Sequence, residues 1–272
     1  MQKTQATAII ATAIILLSTT ITVTATLTTT QNQTETPKTT TTPAPTFPTE
    51  QTVNYLNTIA FSGYTWKIRN SPNTTSTPGP NYWSNSTENV WVDNNDYLHL
   101  RITNRNGKWL CPEIYTLQAL GYGTYVFHTK SPIDSLDKNV VLGLFTYKDD
   151  SHEVDIEYSL WGKSEGYNSG FTVQPTPYTS DNSLDFNTTL TGTEATHTFT
   201  WRSDKVFFQT IQGNYTTTNV PAENIIKTWE SQVSCDASDA KTVINLWLYH
   251  GLAPSNQQEV EVVITGFEFI PL

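Results

Sequence analysis

A formal net charge of -10 on 272 residues, with no Lys/Arg run anywhere, sets this chain against phosphate backbones and excludes nucleic acid as a natural partner. Charged residues make up only 15% of it while aromatic residues reach 12%, with eight Trp, which supplies a large β core with rings left over. A neutral, ring-faced partner such as a polysaccharide suits that balance better than an ionic one.

The chain opens on Met1 to Lys3 followed by the apolar run Ala6 to Leu17, the order of a secretory n-region and h-region. Residues 1–27 are therefore expected to be a signal peptide or an N-terminal membrane anchor, and the protein to be extracellular or at the cell surface. A membrane tether through this segment stays open, since apolar residues continue through Ile21, Val23, Ala25 and Leu27. Residues 28–52 are rich in Thr and Pro and cannot bury enough apolar surface to fold, so they are expected to be a disordered linker. Lys3 and Lys38 offset Glu35 and Glu50, which leaves the acidic charge on residues 53–272. That length suits one all-β sandwich, expected to be monomeric.

From Asn57 onward the text alternates apolar and polar residues between turn signals, with no sustained helical period. Asn89-Val-Trp-Val, the turn Asp93-Asn-Asn-Asp and Tyr97-Leu-His-Leu-Arg-Ile predict a hairpin with Leu98, Leu100 and Ile102 on one face. Further strands are predicted at 108–116, 123–129, 140–147, 153–158, 170–173, 197–201, 205–210, 243–249 and 259–264, enough for two packed sheets. Ser71 to Pro80 and Pro175 to Asn187 read as long surface loops.

The most informative stretch is His152-Glu-Val-Asp-Ile-Glu-Tyr158, with an acid at every second position. On a strand, Val154 and Ile156 face the core while Glu153, Asp155 and Glu157 share the other face, about 6.5–7 Å apart. Three like charges in a row are costly, and Asp and Glu are poor strand formers, so folding alone does not favour this pattern. Crowding raises at least one carboxyl pKa, so a protonated acid can stand beside an ionised one. That division of labour is what glycoside hydrolysis requires.

Glu153-Val-Asp-Ile-Glu157 resembles the Glu-X-Asp-X-Glu signature of glycoside hydrolase family 16, the lichenases and laminarinases. Cys111-Pro-Glu113, Gly121-Tyr-Gly-Thr-Tyr125, Phe145-Thr-Tyr147, Trp201 and Asn245-Leu-Trp247 follow in the order and approximate spacing of the corresponding lichenase segments. The resemblance implies a two-sheet antiparallel jelly-roll sandwich, concanavalin A-like, with a concave substrate cleft. It implies a retaining endo-glycosidase acting on β-linked glucan-type polysaccharide, with Glu153 as nucleophile, Glu157 as acid/base and Asp155 tuning the nucleophile. Glu113, Asn245 and Trp247 would contact sugar. Trp83 and Trp161, beside loop signals, are the further aromatic candidates. The chain departs from the family at Ser151-His152, where lichenases carry an aromatic and an acidic residue, and near Trp83, where the partner of the cysteine at Cys111 is missing. The two cysteines, Cys111 and Cys235, leave both a disulfide and a pair of buried thiols open.

No organic cofactor is expected and no metal either, a structural calcium ion having no support in the residues. After His152-Glu153 the second His of a zinc helix is replaced by Ile156, and no Gly-X-Ser-X-Gly elbow or phosphate loop occurs. The rival to an enzyme is a lectin-like carbohydrate-binding module on the same sandwich, which would need the exposed rings but no acid pair.

Overall fold

The computed structural model describes residues 57–216 and 220–272, so the expected leader and linker lie outside the described residues. Among those residues no helix is long and apolar enough to cross a membrane. The first strands are β1 (Thr58–Phe61), β2 (Tyr64–Ile68), β3 (Ser71–Ser76), β4 (Asn81–Trp83), β5 (Val90–Val92) and β6 (Leu98–Arg105). They are followed by β7 (Lys108–Cys111), β8 (Glu113–Ala119), β9 (Gly123–Lys130), β10 (Val140–Asp149), β11 (His152–Tyr158) and β12 (Ser169–Val173). The last six are β13 (Ser183–Phe186), β14 (Glu194–Trp201), β15 (Val206–Gln212), β16 (Ile225–Ser231), β17 (Lys241–Leu248) and β18 (Val260–Pro271).

They form two sheets, as the jelly-roll expectation requires. An eight-stranded sheet runs β1-β2-β8-β17-β10-β11-β12-β13, and a ten-stranded one runs β16-β15-β14-β9-β18-β6-β7-β4-β3 with β5 paired to β6. Every pairing is antiparallel except β4 with β7. The core lies between the sheets, where Leu144, Val154, Ile156, Phe171 and Ile244 meet Leu100, Phe127, Phe199, Trp201 and Phe208. Each such side chain contributes about 1.5–3 kcal/mol when fully buried, and the strict alternation along the strands leaves the opposite face of the eight-stranded sheet free for other chemistry.

The hairpin at β5 and β6 forms with Leu98, Leu100 and Ile102 wholly buried, and Asp93 closes its turn by accepting from the Asn95 and Tyr97 N–H groups, both at 2.9 Å. The run expected as one strand from 108 to 116 divides at Pro112, which has no N–H to give a ladder. Lys108–Cys111 stays in the ten-stranded sheet and Glu113–Ala119 enters the eight-stranded one. Parts of both expected loops are also strand: β3 pairs with β4, and β13 pairs with β12. Their Ser, Thr, Pro and Asp residues hid them, because edge strands tolerate such residues.

Cys111 and Cys235 are both free thiols, so the disulfide left open above does not form. The buried Cys111 Sγ donates to Asn81 Oδ1 at 3.4 Å, whereas the Cys235 Sγ lies 3.9 Å from the Glu153 carbonyl oxygen. The two sit in separate surroundings, and a bridge needs Cβ atoms about 3.5–4.5 Å apart.

Candidate active site

On β11 the alternation does what the sequence predicts: Val154 and Ile156 are fully buried in the core, and Glu153, Asp155 and Glu157 point the other way. The register of neighbouring strands spreads this face into rows. Glu113, Asn245, Gly143, Glu157, Gly170 and Asp185 stand opposite one another across β8, β17, β10, β11, β12 and β13. Tyr115, Val243, Phe145, Asp155, Thr172 and Ser183 form the adjacent row. Over these rows opens a cavity of about 500 Å³, lined among others by Glu113, Tyr115, Phe145, Tyr147, Glu153, Glu157, Asn245 and Trp247.

Five of the expected site residues thus line one cavity, with Asp155 buried in its floor. Burial pushes the Glu153 carboxyl up to about 7, with Asp150 adding to the rise while a hydrogen bond from Asp155 opposes it. Burial, then the charge of Glu153, pushes Glu157 up to about 8. Asp155 is driven well above the usual carboxylate range by burial and by both glutamates. No Lys, Arg or His pairs with these three acids among the described residues, so nothing cancels the crowding. Burial and mutual repulsion thus hold all three carboxyls above the usual carboxylate range, so the strand can keep a proton near neutral pH.

Gly143 faces Glu157 on one side and Asn245 on the other. A Cβ there would come within 2.5 Å of Asn245 Oδ1 and 3.1 Å of the Phe145 ring, so only glycine leaves both side chains where they stand. Asn245 Nδ2 donates to Glu113 Oε2 at 3.1 Å, and its buried Oδ1 has no partner among the described residues. An orphaned acceptor of this kind, at the wall of a cavity, is suited to a hydroxyl donor from outside.

Glu113 is held in turn by Arg69, a residue with no motif to announce it in the sequence. The Arg69 Nη1 donates to both Glu113 oxygens at 3.0 and 3.2 Å, while Nη2 donates to Ser76 Oγ at 3.0 Å and to the Thr77 carbonyl at 2.7 Å. Its guanidinium lies 4.3 Å from the centre of the Trp83 ring. Trp83 itself is wholly buried, which corrects its expected role: it supports Arg69 from beneath and has no free face for a sugar. Trp247, by contrast, lines the cavity and packs edge-on against Trp161 at 6.1 Å, which in turn meets Tyr249 at 5.6 Å. Phe145 and Tyr147 were visible in the sequence as part of a resembling segment. Gly143, Arg69 and Tyr115 were not, because their importance comes from cross-strand register.

Among the described residues no cluster of three or more His, Cys, Asp or Glu is arranged to hold a metal ion.

Comparison by sequence found no matching family model and no matching curated protein. Comparison by structure found many. A Bacillus licheniformis β-glucanase shares 18% identity at a TM-score of 0.54, over 76% of this chain and 92% of that one. A prokaryotic β-1,3-1,4-glucanase (lichenase) from a mouse hindgut metagenome shares 16% identity at 0.53, over 76% and 93%. An immunostimulatory antigen and pseudo β-1,3-glucanase of Mycobacterium tuberculosis shares 17% at 0.58, over 76% and 91%. At such identities the likeness establishes the fold, and the fold of this chain is that of the β-glucanase and lichenase sandwiches.

Proposed function

We propose that the protein is a retaining endo-glycosidase that hydrolyses a neutral β-linked glucan outside the cell or at its surface, acting as a monomer. The observation that carries this reading is the row of three uncompensated carboxyls at the floor of a cavity walled by Phe145, Tyr147 and Trp247. In the first step the Glu153 carboxylate attacks the anomeric carbon while Glu157 gives its proton to the leaving glycosidic oxygen. Glu157, now ionised, takes a proton from water, which attacks the same carbon and releases Glu153. Two displacements at one carbon retain its configuration. Asp155 shares a hydrogen bond with Glu153 and steadies it as its charge is consumed and restored.

A neutral polymer is favoured because the lining acids Glu113, Asp150, Glu153 and Glu157 face a single arginine, Arg69, already bound to Glu113. Sulfated or uronic chains would meet net repulsion. A second reading, a sugar-binding module without turnover, is favoured by the neighbour described as a pseudo β-1,3-glucanase.

Reducing-end release from lichenan, laminarin, xyloglucan, agarose and carrageenan separates the two. Release from a neutral glucan, lost by at least about 10³-fold in both Glu153→Gln and Glu157→Gln at equal folding, supports the enzyme. No release from any polymer, with glucan binding intact in all three proteins, supports the binding module.

A further inference from the structure

The cleft is furnished unevenly about the acid strand. On the β10, β17 and β8 side stand Asn245, Glu113, Arg69 and Trp247. On the other side no aromatic ring stands on this face of the sheet: Gly170 and Asp185 continue the Glu157 row, and Thr172 and Ser183 the Asp155 row. A polymer long enough to cross β11 would therefore leave the aromatic side and lie over small and polar side chains, unless a ring rises beside the sheet to meet it.

The segment joining β12 to β13 does rise there. The Gln174 N–H donates to the Glu153 carbonyl at 3.0 Å, so Gln174 extends the Gly170, Thr172 series on the cavity face, next to Glu153. Its Nε2 donates to the Tyr178 hydroxyl at 2.9 Å. The Tyr178 ring is 56% exposed, and the turn that carries it is pinned from within. Asn182 Nδ2 donates to the Pro175 and Pro177 carbonyls at 2.9 and 3.3 Å, and its Oδ1 accepts from the Thr179 N–H and hydroxyl at 2.7 and 3.2 Å.

A rigid mount for an exposed ring is unusual where folding alone is served, because the ring gains little burial for the freedom it loses. The hydroxyl is also directed. Gln174 occupies a lone pair of the phenol oxygen, and the phenol's own proton has no acceptor among the described residues. The three acids of β11 are near enough to act electrostatically on that hydroxyl, and the Gln174 that holds it is bonded through its backbone to Glu153.

We propose that Tyr178 is the sugar platform of the β12–β13 side, stacking its ring on one pyranose face and donating its hydroxyl proton to a sugar oxygen. Gln174 and Asn182 act as its positioning residues. The proposal rests on the glucanase reading above and deepens it: with Trp247 on one side of β11 and Tyr178 on the other, the site takes a chain in mid-length.

The test uses Glu157→Gln protein, which holds substrate without cutting it, with and without Tyr178→Ala or Tyr178→Phe. Binding of β-glucan oligosaccharides of two and of six units is followed by calorimetry, beside polymer hydrolysis by the same Tyr178 variants with Glu157 intact. Tyr178→Ala is expected to weaken the six-unit ligand about tenfold and Tyr178→Phe about threefold, with the two-unit ligand unchanged. Equal six-unit affinity with and without the ring, in a protein that still cuts polymer, would overturn the Tyr178 assignment and leave the glucanase reading standing. An equal loss at both lengths would make Tyr178 a structural residue and also overturn it. Absence of both binding and hydrolysis in the unsubstituted protein would remove both.

Discussion

Glu157 and Tyr158 are neighbours on β11 and face opposite sides of the same sheet, and their surroundings are built in opposite ways. Tyr158 enters the core, where its hydroxyl meets His197 Nδ1 at 2.9 Å and Thr210 Oγ1 at 3.1 Å, and His197 Nε2 meets Thr129 Oγ1 at 3.0 Å. Both ring nitrogens of His197 are satisfied, and burial pulls its pKa down to about 3, so it stays neutral. Glu157 faces the cavity with like charges beside it and no cation paired to it. The first cluster is a completed polar network of the kind that stabilises a core; the second holds electrostatic repulsion that a proton, or a reaction passing charge to sugar, relieves.

The contrast is broken most severely on the core side. His197→Ala removes a partner from both Tyr158 and Thr129, and is expected to cost about 3 kcal/mol, lowering the thermal midpoint by roughly 6–12 °C. Activity per folded molecule should change by less than about twofold. A melt with little shift would show that the network is not holding the core.

On the cavity side the same kind of experiment should stabilise. The folded-state pKa of Glu157 is about 8 against an ordinary 4.5, so between those values the folded state binds more protons than the unfolded one. Stability from this group is fully present below about pH 4.5 and is lost as the pH rises through 8. Glu157→Gln does not titrate, so relative to the unsubstituted protein it should gain about 2 kcal/mol on going from pH 4 to pH 8, discounted because the carboxyl faces an open cleft. Urea titrations at the two pH values measure it, and an unchanged difference would mean the acids are not strained.

Arg69 lies between the two designs, since it compensates one acid of the cavity wall. Arg69→Ala strands Glu113 and frees the 76–77 segment, and should lower kcat/KM about tenfold; adding Glu113→Gln should recover part of that loss. Strict additivity in this cycle would separate the two side chains functionally.

The smallest effect expected is none at all. A reductant should leave the melting temperature unchanged, and iodoacetamide on the native protein should label the partly exposed Cys235 while sparing the buried Cys111. A reductant-sensitive melt would restore the disulfide.

What the sequence discloses and what it hides follow from the same geometry. The acid face of β11 is legible because its pattern is local: alternation alone sets Glu153, Asp155 and Glu157 against Val154 and Ile156. The hairpin of β5 and β6 is legible for the same reason. Gly143, Arg69 and Tyr178 are not, because each is tied to a residue distant in the chain: Asn245 for the first, Glu113 for the second, and for the third Glu153, whose carbonyl accepts from the backbone of its partner Gln174. Trp83 misleads in the opposite sense. Its neighbourhood of turn residues suggests exposure, yet the parallel pairing of β4 with β7 carries it into the core.

The central claim is that Glu153 and Glu157 divide the roles of nucleophile and proton donor, and the pH dependence of kcat/KM on the preferred glucan tests it most directly. The unsubstituted protein should give a narrow bell, its acid limb near 7 from Glu153 and its alkaline limb near 8 from Glu157, and the residual activity of Glu157→Gln should keep the first limb and lose the second. An alkaline limb that survives in Glu157→Gln, or a profile flat from pH 6 to 9, would contradict it.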